Sequence, residues 1–160
     1  MEKTIESTAE SVIARATSKG YRLTCAESCT GGLVAGALTA VAGASACFLG
    51  GVVSYDNRIK NRILGVPEET LNRVGAVSSE CAAAMAEGVR RLMQADFAVS
   101  ITGIAGPGGG TPDKPVGLVH FGLATPTRTE TFKRIFSGDR AAVRQQAVAF
   151  ALTLLNDALL

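Results

Sequence analysis

Residues 22–42, RLTCAESCTGGLVAGALTAVA, change character twice within one short span. Arg22 to about Ala26 reads as a strand, Glu27 to Gly32 as a polar, glycine-rich loop, and the Ala- and Leu-rich remainder as a helix to about Ala42. Thr30 is the expected N-cap of that helix, because a threonine oxygen can accept from the unpaired first-turn N–H groups. A strand, a loop and a helix start in direct succession form the repeating unit of α/β domains.

The same alternation extends in both directions. Upstream, Ile5, Ala9, Val12, Ile13 and Ala16 fall at helical spacing from about Thr4 to Lys19, and Gly20 is a stop signal. Downstream, Phe48 to Tyr55 reads as a strand, about Asn57 to Leu64 as a short basic helix, and Pro67-Glu68-Glu69 as the start of a helix ending near Gly75. Ser78 or Ser79 caps a long helix with Cys81, Met85, Val89, Leu92 and Met93 on one stripe, and the strand Phe97 to Ile101 follows. Strands at Val116 to Ala124 and about Glu130 to Phe136 are joined by the turn Thr125-Pro126-Thr127 as an antiparallel hairpin. A helix from about Asp139 to Leu155 closes the chain. The pattern predicts a single domain over residues 1–160, an α/β fold of three layers (α/β/α) around a mostly parallel mixed sheet with an antiparallel C-terminal hairpin.

Composition excludes several classes of function. Apolar residues are 47% and charged residues 19% of 160, with aromatics at 5%, so the chain is globular and its core is aliphatic. A net charge of +2 gives no electrostatic footprint for nucleic acid, although Lys133, Arg134, Arg140 and Arg144 against Asp139 alone would suit a compact anion. No stretch reaches the ~18 apolar residues of a membrane span, and the N-terminus lacks a secretory pattern. Cys25, Cys29, Cys47 and Cys81 are expected as reduced thiols in a cytoplasmic protein.

In open α/β sheets ligands bind beyond the carboxyl ends of the strands. Three polar segments follow strands there: Glu27 to Gly32, Tyr55 to Lys60 and Thr102 to Lys114. His120 is the sole histidine and lies within a strand, which leaves little material for a His-based triad or metal site. Glu27, Asp56 and Asp113 could serve a metal-dependent phosphatase only if folding gathered them. A nucleophilic enzyme would then need another base. Lys60 fits, with Arg58 and Arg62 as nearby cations able to lower its pKa. Ser28, Cys29 and Ser45 are all candidate nucleophiles, and spacing does not choose among them. Thr30, Gly31, Gly32 and the TGIAGPGGG segment, including Gly103, offer backbone N–H groups for an oxyanion or a phosphate.

The segments TCAESCTGGLVAGALT, SYDNRIKNRILGV, GAVSSECAAAMAEGVRR, SITGIAGPGGGTPDKPVGLV and GDRAAVR, in this order and across nearly the whole chain, resemble the CinA C-terminal-domain family. The resemblance implies a metal-independent amidohydrolase that converts nicotinamide mononucleotide to nicotinic acid mononucleotide and ammonia, without a cofactor, as a homodimer. The start at Met1 resembles the stand-alone form of the family. Carried over by motif, the Ser/Lys dyad falls on Ser45 and Lys60, with Ser28, Tyr55 and Thr102 at other active-site positions and Arg140 near the substrate phosphate. The alternative is a non-catalytic nucleotide-binding or regulatory module of the same fold.

Overall fold

The computed structural model describes residues 4–160. Five strands, β1 (Leu23–Glu27), β2 (Phe48–Val53), β3 (Phe97–Gly103), β4 (Leu118–Ala124) and β5 (Thr129–Ile135), form one sheet in the order β2-β1-β3-β4-β5. β1 runs parallel to both β2 and β3, whereas β3–β4 and β4–β5 are antiparallel. The sheet is mixed as expected, and its antiparallel part begins at β3. The connection from β3 to β4 contains no helix, so the chain returns alongside itself without the crossover that a parallel pair requires.

Helices α1 (Ile5–Lys19), α2 (Leu33–Thr39) and α6 (Arg140–Ala158) cover one face. Alternation in β3 sends Phe97, Val99 and Ile101 into the core beneath them, with Cys25 of β1 and Val119, Phe121 and Leu123 of β4. α5 (Ser79–Met93) covers the opposite face, flanked by α3 (Asn57–Leu64) and α4 (Glu68–Arg73). That face is built from small residues, which is why α5 lies close to the sheet. A Cβ on Gly122 would come within 2.4 Å of the Ala82 carbonyl oxygen. Ser100 Oγ donates to the same carbonyl at 2.6 Å. Gly88 of α5 in turn admits α3, since a Cβ there would stand 1.8 Å from the Leu64 oxygen. These contacts fix α3, and with it Lys60, over the carboxyl ends of β1 and β2.

The predicted long helix after Gly32 is shorter in the structure: α2 ends at Thr39, and a separate 3-10 turn occupies Ala44–Ala46. Gly43 between them adopts φ 85°, a backbone conformation that an L side chain disfavours, and it redirects the chain towards β2. Among the described residues no helix is long and apolar enough to cross a membrane.

Candidate active site

The parallel strands β1, β2 and β3 deliver Ser28, Ser54-Tyr55 and Thr102-Gly103 to the same edge of the sheet. Ser54 N–H donates to the Glu27 carbonyl at 2.8 Å and Ser28 N–H to the Ile101 carbonyl at 3.0 Å, so the three strand ends are stitched together. A cleft of about 220 Å3 opens there, lined by Ser28, Cys29, Tyr55, Lys60, Thr102 and Arg140 among others.

Lys60 is the decisive side chain. It lies on α3 and is 1% exposed. Its Nζ is 2.7 Å from the Ser54 carbonyl oxygen, 3.1 Å from that of Tyr55 and 3.1 Å from Ser28 Oγ. Carbonyl oxygens only accept, so two of the three tetrahedral positions around Nζ must carry hydrogens. The third faces Ser28. In the ammonium form that position donates to Oγ; in the neutral amine it is the lone pair, able to accept the Ser28 proton. Burial pushes the Lys60 pKa below the ordinary lysine range, opposed in part by Cys81, Asp56 and Cys29. The neighbouring arginines are not the cause. Arg58 turns to Asp56, whose Oδ1 it meets at 3.1 Å on the exposed surface.

Ser45 is elsewhere. It stands exposed in the 3-10 turn before β2, beside a different cleft formed with Thr39, Val41, Phe48 and Leu49. Lys60 and Ser28 lie beyond the other end of that strand, roughly 17 Å away at ~3.3 Å per residue. The expected Ser45–Lys60 pair is therefore not formed within the chain. Ser28 is the hydroxyl that meets Lys60. Spacing could not reveal this, because both serines lie in loops adjoining strands and only the direction of β2 separates them.

The Ser28 turn is held from two sides. Glu27, 1% exposed, accepts from the N–H of Val34 at 2.9 Å through Oε1 and of Ala35 at 3.0 Å through Oε2. It thus caps α2, whose own N-cap position is Gly32 with no side chain to offer. Thr30 does not cap as expected; its buried hydroxyl has no partner among the described residues. From outside, Arg144 on α6 donates through Nε to the Cys29 carbonyl at 3.0 Å and through Nη2 to that of Thr30 at 3.3 Å. Gly31 N–H closes the turn onto the Ser28 carbonyl at 3.0 Å. The N–H groups of Thr30 and Gly32 have no backbone acceptor among the described residues. Neither Glu27 nor Arg144 carried a sequence signal for these roles, which join positions far apart along the chain.

Thr102 donates its hydroxyl to the Ala76 carbonyl at 2.9 Å, which ties β3 to the segment before α5 and commits its one proton. It therefore supports the cleft wall and does not donate into the cleft. Arg140, the first residue of α6, donates to the Gly106 carbonyl at 2.8 Å, and its Nη2 lies 3.4 Å from the Tyr55 hydroxyl. A guanidinium carries five N–H donors, so most remain for an anion. The basic cluster read from sequence divides in the fold. Arg140 reaches the cleft, Arg144 braces the turn, Arg134 stacks over the Phe150 ring at 4.4 Å, and Lys133 pairs across the sheet with His120.

Cys29 lines the cleft, yet burial foremost pushes its thiol up to about 11, so at neutral pH it is not a thiolate. His120 is half-buried in β4 opposite Thr102. Its pKa is lowered by burial first and then by Lys133 and Lys114. Glu27 and Asp56 are both engaged in capping, and among the described residues no three His, Cys, Asp or Glu side chains are grouped as a metal site requires.

A model of the family described as the CinA C-terminal domain matches residues 5–159. The chain belongs to the CinA C-terminal domain family. A CinA-like protein of Anaeromyxobacter dehalogenans is 56% identical over 92% of this chain, and the chain spans 36% of that relative's length. A relative of similar size, called nicotinamide-nucleotide amidohydrolase PncC in Enterobacter agglomerans, is 51% identical over 94% of this chain and 93% of its own. Among solved structures, a CinA superfamily protein from Enterobacter cloacae superposes with a TM-score of 0.96 at 38% identity, covering 100% of this chain and 95% of its own. The competence/damage-inducible protein CihA from Agrobacterium tumefaciens gives 0.93 at 44% identity, covering 99% of both chains.

Proposed function

We propose that residues 1–160 form one amidohydrolase domain of the CinA type, which hydrolyses nicotinamide mononucleotide to nicotinic acid mononucleotide and ammonia with Ser28 as nucleophile and Lys60 as base. The observation that carries this reading is the Lys60 amine, whose two carbonyl partners leave its third valence facing Ser28 Oγ. The named amidohydrolase activity of the Enterobacter agglomerans relative supports the substrate.

Neutral Lys60 takes the Ser28 proton as Oγ attacks the carboxamide carbon. The carbonyl oxygen becomes an oxyanion, held by backbone N–H groups at the cleft. Lys60, now an ammonium, protonates the amide nitrogen, the C–N bond breaks and ammonia leaves. Water then gives a proton to Lys60 and its oxygen attacks the acyl carbon. Ser28 departs with that proton, leaving the carboxylic acid, which loses its proton to solvent to give the carboxylate product. Arg140 holds the phosphate, with Tyr55 beside it at the cleft mouth. No metal takes part in these steps. A pyridinium ring draws electrons from the carboxamide, which suits a modest base. The cationic ring also favours a lysine that reacts as the neutral amine.

The four free cysteines fit a reducing cytoplasm. A homodimer fits the unpaired edge strand β2, where Leu49 and Val53 are exposed beside Leu33. Purified protein given nicotinamide mononucleotide should release nicotinic acid mononucleotide and ammonia in equal amounts, with or without chelator. Tight nucleotide binding without ammonia would instead identify a binding module.

A further inference from the structure

We propose that the Gly103 N–H, at the end of the strand beside Ser28, is a main-chain donor to the oxyanion; this deepens the acyl-transfer reading above and rests on it. Successive residues of β3 turn their backbone groups to opposite neighbours. Ile104 N–H donates to the Leu118 carbonyl at 2.9 Å, and the same register sets Thr102 opposite His120 and Gly103 opposite Val119. Ala98, Ser100, Thr102 and Ile104 therefore bond towards β4, whereas Phe97, Val99, Ile101 and Gly103 face β1.

On the β1 side the ladder starts with Phe97 N–H on the Arg22 carbonyl at 3.2 Å and runs to Ser28 N–H on the Ile101 carbonyl at 3.0 Å. Its next rung would join Gly103 N–H to the Ser28 carbonyl. That rung is missing, because β1 ends at Glu27 and the Ser28 carbonyl accepts from Gly31 N–H inside the turn. Gly103 N–H is left facing the space beside Ser28, with no backbone acceptor among the described residues. Both residues line the cleft. Neighbouring strands stand ~4.8 Å apart, so an oxygen two bonds from Ser28 Oγ comes within reach of that N–H. The nearest alternatives are already engaged: Ser28 N–H bonds Ile101, and the Thr102 hydroxyl bonds Ala76. Glycine is required here for a separate reason. A Cβ would stand 2.8 Å from the Leu118 oxygen and 2.7 Å from Val119 Cγ2, so β4 packs directly against the peptide and holds its donor in place. A donor fixed before the reaction needs no reorganisation when charge develops.

Gly103→Ala would keep the N–H and collide with β4, so the test replaces the amide itself. A synthetic peptide of residues 81–160 with glycolic acid in place of Gly103 is ligated at Cys81 to residues 1–80. The full chain then carries an ester oxygen where the N–H was; an all-amide ligation is the reference, and thermal stability is measured on both. Turnover of nicotinamide mononucleotide should fall by ~10²–10³, the scale of losing one oxyanion donor, with KM kept within about threefold. Pyridine-3-boronic acid forms a tetrahedral adduct on a serine nucleophile and probes the same donor. Its affinity should weaken in the ester chain in step with kcat, whereas affinity for the product nicotinic acid mononucleotide should hold. A second arm needs no variant: in wild-type protein made with isotope-labelled glycine, the adduct should move the Gly103 amide proton downfield. Unchanged kcat in the ester chain overturns the proposal, as does an equal loss of boronate and product affinity or a Gly103 signal that stays in place on adduct formation. Failure of the wild-type protein to take the boronate on Ser28 would defeat the underlying acyl-transfer reading instead.

Discussion

Lys60→Met removes the amine while keeping the length of the stem, and the structure sets what should follow. The Ser54 and Tyr55 carbonyls each lose a donor. An unsatisfied buried acceptor costs about 1–3 kcal/mol, and only the Ser54 carbonyl belongs to a fully buried residue. Relief of a buried ammonium opposes that cost. The net change in stability should therefore stay within about 2 kcal/mol, or a Tm shift of roughly 4–8 °C for a domain of this size. Activity should fall far more. A positioned acid–base group contributes ~10²–10⁴-fold, equivalent to about 3–5 kcal/mol of barrier. The assay is ammonia release followed by a coupled dehydrogenase, repeated across pH. Because burial depresses the Lys60 pKa and the neutral amine is the reactive form, wild-type kcat/KM should rise with pH through a value below the ordinary ~10.4 and then level off. Lys60→Met should lose that rising limb. A variant turning over within threefold of wild type, or one keeping the same limb, would refute the assignment of Lys60 as base.

Other outcomes follow from the same geometry. With its thiol at about 11, only about one Cys29 in 10⁴ is ionised at pH 7, so iodoacetamide at that pH should leave activity intact and Cys29→Ala should turn over normally. Glu27→Gln presents one acceptor oxygen to two N–H groups and sets an amide N–H against the other. Loss of about 1–3 kcal/mol, several degrees in Tm, should accompany a lower kcat as the Ser28 turn loosens. Arg140→Ala should raise KM roughly 5–30-fold with kcat nearly kept, since an exposed charge-assisted contact is worth about 1–2 kcal/mol. Steady-state kinetics on each variant decides these.

The strand and helix order was legible because periodicity is local: the apolar stripes of α1 and α5 and the strand–loop–helix unit around Ser28 appear in the structure within a few residues of their expected limits. Tyr55, Lys60, Thr102 and Arg140, brought together by motif resemblance, line one cleft: Tyr55 and Thr102 at the carboxyl ends of strands, Lys60 within α3 and Arg140 at the start of α6. The choice among Ser28, Cys29 and Ser45 was not legible, because it depends on which end of β2 faces α3 and on how deeply each group is buried. The caps were also hidden. Glu27 replaces a local N-cap from seven residues upstream of Val34, and Arg144 reaches back more than a hundred residues to the turn. Such partners are chosen by packing of the helices on the sheet, which no short spacing encodes.

The pairing of Lys60 with Ser28 is the centre of this account. Turnover of nicotinamide mononucleotide by Ser28→Ala and Ser45→Ala, measured side by side, tests it most directly. Ser28→Ala should lose ~10³-fold or more, the scale of removing a nucleophile, while Ser45→Ala keeps near wild-type kcat. An active Ser28→Ala beside an inactive Ser45→Ala would contradict it.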